Sequence, residues 1–413
     1  MSRPKLLLLT TRFPFGPGEE FLATELMYLA QHFAITVVPT AQDVDLSISR
    51  PMPAGVQLHR DMLGKLPVGA KGTLIWAMKH PGKALRGGRK ILRECRRLHC
   101  HPGSMKALLR FVTLGMRIED QLTQTHAFGT MDIVYSYWLS PTALAALFLK
   151  ERGYAGMAIA RAHGGDLYHE RSALGVLPAQ PLLAAGLDRI FCVSQHGVDY
   201  LHARYPEISE KFELFRLGAP SPPTSNPFPA TDRLHLVSCA YLTPIKRIDL
   251  LINALSQLNI PVTWTHLGGG EQMKQIQLQA QKLPANISWR ITGVIPNQEI
   301  HRFYQSHPVD LFINVSASEG LPVSMMEALS YSIPVAATDV GGVHEVVTPG
   351  KNGYLWDVNV TPATIAATLN AYYQLPKATK QAMRAASWQQ WHEHVNAEKQ
   401  YPAFAQRLLA LLS

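Results

Sequence analysis

Glu319 and Glu327 stand with seven residues between them in the stretch NVSASEGLPVSMMEAL, Asn314 to Leu329. Ahead of them, Asp310 to Val315 reads as a strand. Glu319 and Gly320 fall in a loop, Leu321 follows, Pro322 sits where a first helical turn would begin, and Val323 opens the helix. The free N–H groups and positive dipole end of such a helix suit a diphosphate. Glu327, about a turn and a half further on, is placed to accept hydrogen bonds from vicinal hydroxyls such as those of a ribose. Glu319, on the loop, can reach a sugar beyond the phosphates. A surface glutamate on an amphipathic helix is the plain alternative, and the strand, loop, glycine, proline and helix context favours the site. Met325 and Met326 read as core filler.

Other candidates lie in the first half. Gly16 and Gly18 follow the first strand, where the lack of a side chain lets backbone approach phosphate or acceptor. Glu19 and Glu20 come next, as an acceptor-side base or as the acids common at a helix start. His163 follows the strand Ala158 to Arg161 and precedes Gly164, Gly165 and Asp166, so it is expected to project from a strand's carboxyl end. Asp166 either orients that loop or binds acceptor hydroxyls. Asp43 and Asp45 form a literal DxD without helper signals, and Cys95, His99, Cys100 and His101 fit no common zinc spacing; both are set aside, and no metal is expected. There is no GxSxG elbow and no GxxxxGKS loop.

These residues need a frame, and the hydrophobic pattern supplies one. Leu6 to Leu9, a helix-like Glu20 to Gln31 and Ile35 to Val38 give strand, helix, strand. Ile133 to Tyr135, Ala158 to Arg161 and Ile190 to Val193 continue it. A second series runs through Leu234 to Ser238, Ile248 to Leu258, Thr263 to Leu267, a Gly268 to Gly270 turn, Met273 to Leu283, Ile287 to Ile291, Asp310 to Val315, Val323 to Ser330 and Val335 to Ala337. Such alternation implies parallel sheets covered by helices. The reading is therefore α/β with two Rossmann-like doubly wound domains facing across a cleft. The domains are 1–218 and 233–386, joined by a Pro-rich linker at 219–232. The last segment, 387–413, carries Trp388, Trp391, Tyr401 and Phe404 and either crosses back to the first domain or caps the second.

Composition sets outer bounds. The 413 residues are 47% hydrophobic and 17% charged, enough for two cores. Four scattered cysteines argue against a disulfide framework and fit a reducing compartment. No apolar run approaches the roughly 20 residues that span a bilayer, so the expected location is cytoplasmic, with any membrane association peripheral, on the inner face of the plasma membrane. The net charge of +9 is local: ten bases stand between Lys79 and Arg110 against Glu94 alone. That run is either a solvated helical face or one that meets an anionic membrane surface. Nucleic acid is not expected, since aromatic residues do not interleave with the bases.

The Glu319 to Glu327 segment resembles the signature of GT-B retaining glycosyltransferases of the GT4 type (glycosyl transferases group 1). The resemblance extends through VSCAYLTPIKRIDLLINAL (Val237 to Leu255), WTHLGGG (Trp264 to Gly270) and DVGGVHEV (Asp339 to Val346). FPFGPGEE (Phe13 to Glu20) and RAHGGDLY (Arg161 to Tyr168) are similar to bacterial polysaccharide, lipopolysaccharide and capsule assembly members. The resemblance implies a hexosyltransferase that retains configuration without a required metal or other cofactor. Its donor would be a nucleoside diphosphate sugar, read here as UDP-galactose or UDP-glucose, and its acceptor a glycan or lipid-linked glycan. It implies that Lys246 neutralises the diphosphate, that His163 contacts the donor sugar, and that Gly269 lies by the donor. Glu345, beside Gly341 and Gly342, is read as structural. The family usually has an arginine where this chain has Tyr241, and Arg247 is the candidate replacement. A sugar-nucleotide epimerase or synthase of the same fold, or a non-catalytic sugar-nucleotide or membrane-binding protein, are the alternatives.

Overall fold

The computed structural model describes residues 3–16, 18–41, 46, 49–60, 69–98, 102–124, 129–177, 179–229 and 232–413. The chain forms two compact units, Met1–Phe215 with Tyr401–Ser413, and Arg216–Gln400. Each is built on one parallel sheet.

In the first unit the elements run β1 (Lys5–Thr10), α1 (Leu22–His32), β2 (Ala34–Pro39), β3 (Gln57–Leu58), α2 (Gly69–Lys79), α3 (Pro81–Leu98), α4 (Pro102–Gln124) and β4 (Met131–Ser136). Then come α5 (Pro141–Glu151), β5 (Ala155–Ala162), α6 (Gln180–Gly186), β6 (Arg189–Cys192), α7 (Gln195–Arg204) and β7 (Phe212–Leu214). The sheet order is β3-β2-β1-β4-β5-β6-β7. Leu6 to Leu9 are buried without alternation because helices cover both faces of β1. Succession reverses between β1 and β4, which leaves a crevice at the carboxyl ends of those two strands. Helices α2 to α4, inserted between β3 and β4, were not part of the strand and helix series read from sequence. Their close packing needs Gly87, where an added Cβ would lie 2.3 Å from the Met116 sulfur.

The first unit's core is completed from the far end of the chain. Arg161 is fully buried, its Nε donates to the Tyr135 hydroxyl at 2.9 Å, and that hydroxyl donates to Glu25 Oε1 at 2.9 Å. Another Arg161 nitrogen lies 3.3 Å from Glu25 Oε2, and the guanidinium stands 4.5 Å from the ring centre of Phe404. Burial raises the Glu25 pKa against the opposing pull of Arg161.

The second unit contains β8 (Leu234–Cys239), α8 (Ile248–Leu255), β9 (Val262–Leu267), α9 (Met273–Ala280), β10 (Ile287–Ile291), α10 (Asn297–Ser306), β11 (Leu311–Asn314) and α11 (Val323–Ser330). After them come β12 (Val335–Thr338), β13 (Gly353–Trp356), α12 (Pro362–Tyr373), α13 (Lys377–His394) and α14 (Ala397–Ala410). Its sheet order is β10-β9-β8-β11-β12-β13, so its switch point lies between β8 and β11.

Two differences from the sequence reading concern boundaries. The division between units falls at Phe215 and Arg216, ahead of the Pro-rich run. That run belongs to the second unit, because Asn226 donates to the carbonyls of Tyr304 and His307 and accepts from the Val309 amide. Proline content marked an irregular segment, but buried amide chemistry made it part of a fold. The segment 387–413 is also two pieces: the Trp391 indole donates to the Ala219 carbonyl in the second unit, whereas Tyr401, Phe404 and Leu408 on α14 are buried in the first.

Candidate functional site

In the second unit, the loops leaving β8 and β11 meet at the switch point. After β8 the chain makes one 3-10 turn, Pro244–Lys246, and Arg247 adopts a left-handed conformation with φ of 49° before α8 begins. The Ala317 amide donates to the Ile245 carbonyl at 2.8 Å and locks the two loops together. Lys246 Nζ donates to Glu319 Oε1 at 2.5 Å, and Asn314 Nδ2 donates to the same oxygen at 3.2 Å. Burial alone would raise the Glu319 pKa. The Lys246 charge and hydrogen bonds from Lys246, Ser316 and Asn314 outweigh it, and the net shift is downward. A charged, exchangeable ion pair therefore stands at the crevice.

The glycines around it are fixed by close approach. Gly341, with φ of 58°, lies so near the Glu319 carbonyl that an added Cβ would be 2.0 Å from the oxygen, and the Gly342 amide donates to the Gly320 carbonyl at 2.7 Å. The β12 loop thus backs the β11 loop. Gly269 uses its carbonyl to accept from the Leu242 amide at 2.9 Å, and a Cβ there would meet the Val294 amide at 2.9 Å. Its part is to let the β9 loop lie against the β8 loop.

Helix α11 starts after Pro322. The amides of Gly320, Leu321, Val323 and Ser324 have no acceptor among the described residues and cluster beside Lys246 and Glu319 in sequence and fold. One turn along, buried Glu327 accepts from Asn297 Nδ2 at 2.8 Å, and His301 Nε2 lies 3.9 Å from the same oxygen. Burial lowers the His301 pKa. Asn297, His301 and Asn314 were missed in the sequence, because each acquires its role only through a partner that the fold delivers.

Beneath the β8 and β9 loops, the Trp264 indole donates to Ser238 Oγ at 3.0 Å, which lies 2.9 Å from His266 Nδ1. His266 Nε2 is 3.1 Å from the Ala240 carbonyl. Burial brings the His266 pKa down to about 4, so the ring is neutral near pH 7 and its Nε2–H donates to Ala240.

Arg247 is bonded within the second unit. Its guanidinium donates to the carbonyls of Val315 at 2.6 Å, Val358 at 2.6 Å and Ser316 at 3.2 Å. These bonds tie loops of the unit together, and Tyr241 is 42% exposed.

In the first unit, Glu19 and Glu20 are both bonded to the loop that follows β1. Glu19, 3% exposed, accepts from the amides of Thr11 at 3.0 Å, Arg12 at 2.6 Å and Phe13 at 2.7 Å and from the Trp138 indole at 2.6 Å. A carboxylate receiving these four donors ties the β1 loop to Trp138. Glu20 accepts from the Gly18 amide at 3.0 Å and pairs with Arg50 at 2.9 Å, while Arg50 also donates to the Gly16 carbonyl at 2.5 Å. Gly16 and Gly18, with φ of 59° and 112°, shape this loop.

Asp166 accepts from the amides of Leu139 at 2.8 Å, His163 at 2.8 Å and Gly164 at 3.1 Å. Burial would raise its pKa, but His163 and these amides bring it down. The His163 ring lies 4.2 Å from that of Trp138, tilted by 40°, and borders Tyr137 and Phe21. Both of its ring nitrogens are buried without a hydrogen-bond partner, Nδ1 standing 3.7 Å from Asp166. The structure thus brings His163, Asp166 and Glu19 around Trp138, which the sequence reading overlooked.

Among the described residues, no group of three or more His, Cys, Asp or Glu is arranged to hold a metal ion. Asp43, Asp45, His99, Cys100 and His101 lie outside the described residues.

Comparison with known proteins fits this geometry. Residues 225–388 match the family described as Glycosyl transferases group 1. The chain is 37% identical over 107 residues to the O-antigen biosynthesis glycosyltransferase WbnH of Escherichia coli, covering 26% of this chain and 29% of that one. It is 27% identical over 213 residues to the putative colanic acid biosynthesis glycosyltransferase WcaL of Escherichia coli K12, covering 48% of each. The chain thus spans about half or less of the length of these curated relatives. Anabaena HepE, solved in complex with UDP and glucose, superposes with a TM-score of 0.66 at 15% identity over 98% of this chain and 100% of that one, and shows the fold. Residues 225–388 thus match the group 1 glycosyltransferases, and the two parallel α/β sheets have the GT-B fold.

Proposed function

We propose that the protein is a retaining glycosyltransferase that moves a hexosyl group from a nucleoside diphosphate sugar, UDP-glucose or UDP-galactose, to a glycan or lipid-linked acceptor. The process served is bacterial surface polysaccharide assembly at the cytoplasmic face of the membrane. The observation that carries this reading is the ion pair of half-buried Lys246 with buried Glu319 at the second switch point, beside the unpaired amides that open α11. The names of WbnH and WcaL support the process, and the UDP and glucose found with HepE support the donor.

In this reading the diphosphate draws Lys246 away from Glu319 and receives the α11 amides, so charge on the leaving group is stabilised by groups already in position. Glu319, released from the lysine, accepts a sugar hydroxyl. Glu327, oriented by Asn297, accepts the ribose hydroxyls. His163 contacts the donor sugar, and the loop held by Asp166 and Glu19 frames the acceptor side. Retention follows from same-face substitution. The bond from the anomeric carbon to the phosphate oxygen breaks as the acceptor oxygen approaches, and the departing phosphate takes the acceptor proton.

The experiment is to supply UDP-glucose and UDP-galactose with a cell-envelope acceptor and measure UDP release together with the anomeric coupling constant of the product. An α-linked product from an α-linked donor supports the reading. A β-linked product removes retention, and absence of UDP release with either donor removes the donor class. Tyr241, exposed where the family carries arginine, favours one second reading, a non-catalytic sugar-nucleotide sensor. That reading predicts UDP-sugar binding without turnover.

A further inference from the structure

Trp138 stands at the first unit's switch point, just beyond the carboxyl end of β4, where the Tyr137 amide donates to the Leu9 carbonyl at 2.9 Å and carries the pairing with β1 onward. Its ring is held from several sides. The indole N–H donates to Glu19 Oε1 at 2.6 Å, the Tyr137 ring meets it edge-on with centres 6.2 Å apart, and the His163 ring lies 4.2 Å away. The holders are themselves anchored to backbone. Glu19 accepts from the amides of Thr11, Arg12 and Phe13, and Asp166 joins the His163 amide to that of Leu139, the residue after Trp138. The indole therefore keeps one orientation.

This anchoring serves a side chain that the core does not cover. Tyr135 and Tyr137 are fully buried, whereas Trp138 packs on the same core with part of its surface and stays half-buried. Among the described residues no further ring and no cation stands against it. An indole whose N–H is bound by a buried carboxylate while its ring remains open has the character of a contact surface. The bond to Glu19 holds the ring still and adds electron density to a face that is already its negative side. Position agrees with this, because an open parallel sheet takes its ligand in the crevice at its switch point. The two carboxylates at this rim already accept from the protein's own donors, Glu19 from four and Asp166 from three amides. Recognition in this crevice accordingly falls to the ring face.

We propose that Trp138 is the platform for the acceptor and takes the apolar face of its terminal pyranose ring. The C–H bonds on that face carry small positive charges and meet the electron-rich indole, while the equatorial hydroxyls point away from the ring edge. The class selected is a pyranose whose ring hydrogens share one side, as in a glucoside or a galactoside. A flexible polyol such as glycerol has no such face and is passed over. The assignment rests on the glycosyl-transfer reading and deepens it by naming the chemistry of the acceptor. His163, given to the donor sugar in that reading, borders the indole, so an acceptor ring on Trp138 lies next to the sugar to be transferred.

The test uses the full chain labelled with fluorotryptophan, in which the Trp138 resonance is the one that W138F removes. Methyl β-D-glucopyranoside and methyl β-D-galactopyranoside should each move that resonance saturably, and glycerol should leave it in place. In turnover with UDP-glucose or UDP-galactose and a cell-envelope acceptor, W138A should raise the acceptor KM about tenfold, the size of one lost aromatic contact, and W138F only about twofold. W138L, apolar but without a π-face, should behave as W138A does. The donor KM and the rise in melting temperature caused by UDP should keep their wild-type values in all three. A resonance that neither pyranoside moves overturns the proposal, and so does a wild-type acceptor KM in W138A or, should W138A not fold, in W138L. A donor KM that rises as far as the acceptor KM also overturns it, because the indole then serves the donor sugar. Failure of the transfer reading shows differently, as absence of UDP release by the wild type, and leaves the fluorine titration to be read by itself.

Discussion

Both sheets bring a buried glutamate to the rim of their switch point, and the two are used in opposite ways. Glu19 bridges from the β1 loop to Trp138 in the β4 loop, and Glu319 bridges from the β11 loop to Lys246 in the β8 loop. Three of the four donors on Glu19 are backbone amides, which cannot leave without unfolding the loop. The chief donor on Glu319 is an ammonium on a flexible stem, which an incoming phosphate can recruit. A buried carboxylate held by backbone is frame, whereas one held by a mobile cation is the beginning of a site.

The sharpest way to break this contrast is Lys246→Ala. UDP release should fall about 100- to 1,000-fold, the size expected for removing one preorganised charge at a leaving group, with little change in melting temperature. Glu19→Gln should do the reverse, costing about 3 kcal/mol and lowering the melting transition by roughly 6–12 °C, because buried amides lose a charged acceptor. If Glu19→Gln instead leaves stability intact and abolishes turnover, Glu19 belongs to the chemistry and the contrast fails.

Acid titration sharpens the comparison within the second unit. His266 has an ordinary pKa of 6.5, lowered to about 4 in the fold, so the unfolded chain takes up a proton the folded one refuses. Stability from this group is complete above pH 6.5 and drains as pH falls toward about 4, by up to roughly 3 kcal/mol. Urea unfolding across that range should show the slope, and His266→Gln should flatten it. Glu319 is held below its ordinary pKa by Lys246 against the opposing effect of burial, so its ion pair should persist to lower pH than an unpaired carboxylate would allow.

Smaller effects probe the loops. Gly341→Ala puts a Cβ against the Glu319 carbonyl at a positive φ, and should cost about 2 kcal/mol and raise the donor KM. Asn297→Ala removes one hydrogen bond to Glu327 and should raise the donor KM about fivefold with kcat nearly unchanged. An unchanged KM would remove Asn297 from the site.

Much of the frame was legible because parallel strands buried on both faces read as unbroken apolar runs, as in Leu6 to Leu9 and Leu234 to Ser238. The pairing of Glu319 with a helix start was equally legible, since Gly320 and Pro322 punctuate the chain around it. What stayed hidden depends on long-range delivery. Arg247 looks like a free cation until three carbonyls from other loops converge on it. Glu19 looks like a general base until the β1 loop folds its own amides over it. Helices α2 to α4 escaped because the run between them was read for its charge, and charge alone does not tell a paired base from an unpaired one.

The burial of Phe404 and Leu408 beneath Arg161 has a consequence for biosynthesis. Residues 401–413 leave the ribosome only after all of the second unit has been made, so the unit begun first is finished last. Until then the Arg161–Glu25 pair lacks its aromatic cover, and the nascent first half should bind chaperones or expose protease sites that vanish on release.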